Sequence, residues 1–293
     1  VKIVCFSYQG VRRVGRISDD GSHVLPFDLA AGVSERGALP LLERLAAGEP
    51  LPAGQAPVPL DQVTLEAPLP RPRRNIFCVG KNYHEHAREF AKSGFDNSVK
   101  GGDDIPEYPI IFSKVPEAVV GPGVAIRIPA GISDSIDYEA ELAVVIGKGG
   151  RGITAEKALE HVLGYTIVND VTARDWQQRH KQWHLGKSFD TFCPMGPCIA
   201  TADELDGSDL RVRCWVNGEL RQDSRSSALI FSIPTLIETI SAGITLYPGD
   251  IIATGTPVGV GIGFQPPKFL KEGDRVRIEI EGIGVLENPV VKE

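Results

Sequence analysis

Residues 137–147 read DYEAELAVVIG, two glutamates leading a strand that is otherwise apolar. Side chains two apart on a strand share a face, which sets Glu139 and Glu141 side by side. Two carboxylates about 4 Å apart repel by roughly 4 kcal/mol at an effective dielectric near 20. A buried strand can carry them only beside a cation. A hard divalent ion bound through oxygen meets that need, and Mg2+ keeps water or substrate in its remaining positions. Asp170 ends the strand-like run GYTIVN (164–169), at a strand terminus where active-site loops begin, and is the third candidate ligand. The alternative is a solvated strand face with Asp170 capping a turn.

Two glycine patterns compete with this reading and fail on local grounds. Gly147, Gly149 and Gly152 satisfy G-x-G-x-x-G ahead of Asp170. The strand before them opens on glutamates, however, and Thr154 starts the next helix after the third glycine, so a pyrophosphate could not sit on that helix end. Gly186-Lys187-Ser188 resembles the end of a P-loop, but Lys181 stands where that motif needs glycine.

Arg174, Arg179, Lys181 and Lys187, with His180 and His184, face a single acid, Asp175, between residues 174 and 187 of a chain that is acidic overall. Local positive charge of this kind draws in an anionic substrate, and a lysine near a metal stabilises an enolate oxygen as it forms. Arg179 and Lys181 read more simply as a basic surface loop, whereas Gly, Leu and Phe around Lys187 mark it as the functional candidate. His84, Glu85, His86 and Glu89 share a short helix at 83–92 that shows little apolar face, so it is expected to be poorly buried. His86 and Glu89 form an i, i+3 pair, and a carboxylate touching imidazole raises its basicity, as a general base requires. A solvated helix would carry the same residues.

The 293 residues hold 24% charged and 42% hydrophobic side chains with no low-complexity tract, a globular composition. Gly 32 and Pro 22 point to many turns and a strand-rich architecture. A net charge of -7 gives no global support to a nucleic-acid or anionic-membrane surface, so a small molecule is the expected partner. No apolar run reaches the length of a membrane span and the N-terminal residues show no secretory pattern, so a soluble, cytoplasmic protein is expected. Cys5, Cys78, Cys193, Cys198 and Cys214 are odd in number and lack a CxxC pair, as reduced thiols are. Cys193 has no paired base and reads as a core thiol.

Residues 1–70 are expected to form a small α/β unit with its linker, strands at Lys2–Tyr8 and Val11–Ile17 and a helix near Ala38–Ala47, ending in APLPRPRR (67–74). From 71 to 293 strands are predicted at Ile76–Val79, Ile110–Ser113, Leu142–Ile146, Tyr165–Val168, Leu210–Val216, Asp250–Thr254 and Arg275–Ile280. Helices are predicted at Ala155–Leu163, capped by Thr154, and at Ile233–Ala242, with Pro234 in its first turn. Residues 93–108 read as a mobile loop.

Five blocks, VGKNYHEHAREF (79–90), DYEAELAVVIG (137–147), VNDVTARDWQ (168–177), LGKSFDTFCPMGP (185–197) and YPGDIIATGTPVGVG (247–261), resemble the fumarylacetoacetate hydrolase family in its own order. The wording around 182–197 is most similar to the family's domain-containing protein 2 branch. The resemblance implies an α+β fold, a mixed β-sandwich roll with peripheral helices behind a small N-terminal domain, assembled as a homodimer. It implies Mg2+ or Mn2+, with Ca2+ a third candidate, on Glu139, Glu141 and Asp170. It makes His86 and Glu89 a catalytic dyad on a lid and places Lys187 beside the metal. Arg174, Gln177 and Thr256 become positions that hold substrate. The implied chemistry is an enolate of a 2-oxo or 2,4-diketo acid stabilised by the metal, with hydrolytic carbon–carbon cleavage of an acylpyruvate expected first. The alternatives are oxaloacetate enol–keto tautomerisation and isomerisation or decarboxylation of a 2-hydroxy-dienedioate, and, outside enzymes, a metal- or ligand-binding module.

Overall fold

The computed structural model describes residues 1–30, 32–94 and 105–293; of the predicted 93–108 loop, residues 95–104 lie outside the described residues. At its centre the strand Ala140–Ile146 pairs antiparallel with Val162–Asn169 on one side and Ile251–Ala253 on the other. Every residue of this strand is buried, which period-two alternation explains when both faces are covered. Leu142, Val144 and Ile146 enter one apolar cluster with Val212, Cys214, Ile278 and Ile280, whereas Ala143 and Val145 enter another with Leu39, Leu41 and Leu42. The first cluster is the seam between two sheets; the second is covered by the helix Leu39–Ala46. The architecture is the expected α+β one, sheet-dominated with few helices.

Among the described residues the larger sheet runs from Val58–Pro59 through His23–Pro26, Val11–Ile17, Lys2–Tyr8, Cys193–Thr201, Val162–Asn169, Ala140–Ile146, Ile251–Ala253 and Ile76–Gly80 to Ile110–Lys114. The second sheet holds Glu219–Arg225, Arg211–Val216, Arg275–Ile280, Gly284–Lys292 and Ile126–Ile128. The N-terminal strands continue the larger sheet through Lys2↔Ala200 and Ile3↔Ile199. Ala67, Pro68, Leu69 and Pro72 of the predicted polar linker are buried, so this segment packs against the core.

Two local expectations are corrected and one strand was not foreseen. The helix predicted at Ala155–Leu163 is a 3-10 helix at Ala155–His161 without a Thr154 side-chain cap, because Val162 is claimed by pairing with Ile146. The strand Cys193–Thr201 carries Pro194 and Pro197, which argue against a central strand; a register shift between Tyr165 and Ile167 lets the neighbouring ladder skip Pro197. The helix His84–Lys92 is not poorly buried. It turns His86, Ala87 and Phe90 inward, Phe90 packing with Val260 and Ile262. The Ile233–Ser241 helix matches its prediction, with Ser232 Oγ accepting from Thr235 N and Pro234 in the first turn.

Candidate active site

Glu139 and Glu141 straddle the start of the central strand. Its register sets Ala140 opposite Asn169 and Glu141 opposite Val168, and the Asp170 amide donates to Glu139 O at 2.8 Å, bringing the third carboxylate alongside. One oxygen from each of Glu139, Glu141 and Asp170 lies within 4.8 Å of the others, and all three residues are buried. The Lys187 ammonium is 2.7 Å from Glu139 Oε2 and 2.7 Å from Asp170 Oδ2. Lys114 donates to Asp170 Oδ1 at 2.7 Å, to Val171 O at 3.0 Å and to Lys187 O. Arg174 donates through Nε to Asp137 Oδ2 at 2.9 Å. Its Nη2 stands 2.8 Å from Glu139 Oε1 without hydrogen-bond alignment, so that contact is coulombic.

Lys187, Lys114 and Arg174 thus contact Glu139, Asp170 and Asp137, and the uncompensated charge falls on Glu141. Burial and the charges of Asp170 and Glu139 push its carboxyl well above the usual range, although Gly255 N donates to Oε2 at 3.0 Å. Burial also disfavours the charge on Glu139, but Lys187 and Arg174 outweigh it and hold the group at about 2. An all-oxygen cluster with one carboxylate left uncompensated is what a hard divalent ion satisfies, and these residues fit one.

Opposite the cluster, Glu89 Oε2 is 3.2 Å from His86 Nδ1. With Glu89 ionised, Nδ1 donates to it and Nε2 keeps its lone pair. Gly259 N donates to Glu89 at 3.0 Å and 3.3 Å, and a Cβ on Gly263 would stand 1.9 Å from Glu89 Oε1. Glu89 therefore has a built seat, while His84 and Glu85 of the same helix are exposed.

A cavity of about 280 Å³ joins these parts. Glu139, Glu141, His86, Lys187, Arg174, Gln177 and Thr256 line it, while Asp170 and Glu89 stand behind as supports. Gln177 Oε1 accepts from Arg174 Nη1 at 3.2 Å, and Thr256 Oγ1 accepts from Gln222 Nε2 at 2.8 Å. Gly186 brings Lys187 in, since a Cβ there would lie 2.5 Å from Gln177 N. Arg179, His180 and Lys181 are exposed, and His184 is tied to Ser113 O at 3.0 Å. Sequence reasoning missed Lys114, Lys81, Phe90, Phe112 and Trp183. A lysine closing the apolar run IIFSK (110–114) was a readable signal for the first; the aromatics had none.

The C-terminal fumarylacetoacetate (FAA) hydrolase family profile matches residues 75–291. The chain belongs to this family. Oxaloacetate tautomerase YisK of Bacillus subtilis (strain 168) is 52% identical over 232 residues, 79% of this chain and 74% of that protein. The mitochondrial oxaloacetate tautomerase FAHD2B of Bos taurus is 49% identical over 243 residues, 82% of this chain and 73% of that protein, which sets this fumarylacetoacetate hydrolase family member in the domain-containing protein 2 branch. The crystal structure of 2-hydroxyhepta-2,4-diene-1,7-dioate isomerase from Mycobacterium marinum superposes with a TM-score of 0.79 at 36% identity, covering 100% of this chain and 98% of that one. These names match the tautomerase and isomerase alternatives better than the carbon–carbon hydrolysis expected first. Among the described residues of this family member no helix is long and apolar enough to cross a membrane.

Proposed function

We propose that this chain interconverts the enol and keto forms of oxaloacetate, or of a closely similar 2-oxo dicarboxylate, with Glu139, Glu141 and Asp170 holding Mg2+ or Mn2+. The observation that carries the reading is His86, backed by Glu89 at 3.2 Å, lining the same cavity as Glu139 and Glu141. The names of the YisK and FAHD2B relatives support this reaction over hydrolysis. A divalent ion supplies positive charge where the C2 oxygen of the substrate gathers negative charge. The residues do the rest. Arg174 and Lys187 surround Glu139 and orient it, and Gln177 and Thr256 offer hydrogen bonds to the substrate's carboxylate. Toward the keto form the neutral His86 Nε2 takes the proton of the C2 hydroxyl and the resulting imidazolium returns it to C3; toward the enol the neutral imidazole removes a C3 proton and hands it to the C2 oxygen. Glu89 balances the imidazolium that exists between the two. Residues 71–293 carry this chemistry, and the strands of residues 1–70 extend the larger sheet beside it.

The test is ketonisation of enol-oxaloacetate followed by loss of enol absorbance, beside pyruvate release from an acylpyruvate. Mg2+-dependent ketonisation faster than pyruvate release, slowed on the order of 10²–10⁴-fold in His86→Ala, is expected. A wild-type rate in that variant, or faster pyruvate release, would overturn the reading.

A further inference from the structure

The cavity is small and three aromatic rings make it so. The catalytic groups open directly onto it, and Trp183, Phe90 and Phe112 line it beside them. Half-buried Trp183 stands edge-on to Phe112, centroids 5.2 Å apart, and to Phe90, 6.0 Å apart. Phe112 in turn lies under the Lys187 ammonium at 4.9 Å, and Phe90 packs beside His86, 6.2 Å between ring centres. The wall thus spans from the lysine on the carboxylate cluster to the histidine that handles the proton, with Trp183 in the middle.

Two features hold the indole in place. Trp183 O accepts from Lys187 N at 3.1 Å, so both side chains leave one helical turn, His184–Lys187 and its preceding residue. On the far side the indole lies on the bare backbone of Gly80, where a Cβ would come 2.3 Å from Trp183 Cζ3. Any other residue at 80 would push the ring away.

We propose that Trp183 is the specificity-determining residue that limits substrate length, confining the site to four-carbon 2-oxo dicarboxylates and excluding the seven-carbon dienedioates named for the Mycobacterium marinum isomerase. The inference rests on the tautomerase reading and sharpens it to a substrate class. Trp183 takes no proton and binds no ion; it fills the space into which a longer tail would run.

The experiment compares wild type, Trp183→Phe and Trp183→Ala with oxaloacetate and with 2-hydroxyhepta-2,4-diene-1,7-dioate. It reads kcat/KM for each and, separately, affinity by calorimetry with Mg2+ present. Wild type should favour the four-carbon acid, and Trp183→Ala should shift the ratio toward the seven-carbon acid by at least about 10-fold, the scale on which pockets discriminate added methylenes. Trp183→Phe, which keeps an aromatic ring and so folds on similar packing, should fall between. Equal loss on both substrates with an unchanged ratio, or a wild type that already takes both lengths equally, overturns the proposal. If wild type turns over neither acid, the tautomerase reading fails, and the affinity ratio still decides the role of Trp183.

Discussion

The ammonium of Lys114 reaches Asp170 Oδ1 at 2.7 Å with both side chains fully shielded from water. The same nitrogen bonds Val171 O and Lys187 O, so one cation from the strand Ile110–Lys114 holds the Asp170 loop and the Lys187 turn together. The carboxylate cluster is thereby built from below as well as from its own strand. Removing one partner of a buried pair leaves the other charge uncompensated, and Lys114→Met should cost about 3–5 kcal/mol in urea unfolding. Wild-type stability in that variant would show Asp170 to be satisfied without it.

Divalent ion should bind the folded chain and stabilise it. Mg2+ at 100-fold its dissociation constant is worth about 2.7 kcal/mol, seen as a rise in melting temperature that EDTA reverses. In Glu141→Ala the rise should vanish together with Mg2+-dependent turnover. Full turnover after exhaustive EDTA treatment would contradict the ion's role.

Gly263→Ala tests the seat of Glu89 without touching the dyad. The new Cβ would fall 1.9 Å from Glu89 Oε1, so the carboxylate must move off His86. Misplacement on the ångström scale can cost about 10²-fold, and kcat should fall toward that while oxalate affinity stays near wild type. An unchanged kcat would mean that His86 works without Glu89.

All five thiols should be silent toward an aromatic disulfide reagent in the native protein and titrate fully in denaturant. Each cysteine is buried and unpaired, and burial pushes Cys5, Cys193 and Cys198 up to about 12. Fast reaction of any one under native conditions would reveal local opening at that strand.

The legible parts share a property. Glu139 with Glu141 follows from a period of two, and His86 with Glu89 from a helical turn; both distances are set by local backbone geometry. The strands Lys2–Tyr8, Val11–Ile17 and Arg275–Ile280 match residue for residue, and along the last of them alternation records its own burial. Cys193–Thr201 was hidden because its prolines are accommodated by a neighbour's register, and the burial of His86 because a polar ring becomes a core residue only once Glu89 and the Gly259 amide are beside it.

Sequence alone therefore determined the family, the sheet-rich class, the three carboxylates and the histidine–glutamate pair, all from residues close together along the chain or from the wording of whole blocks. Tertiary structure decided what meets them: Lys114 beneath Asp170, Gly263 against Glu89, and Trp183 lying on Gly80 to narrow the cavity. Those partners come from distant strands and loops, and no local spacing encodes a contact made only when sheets and helices close on one another.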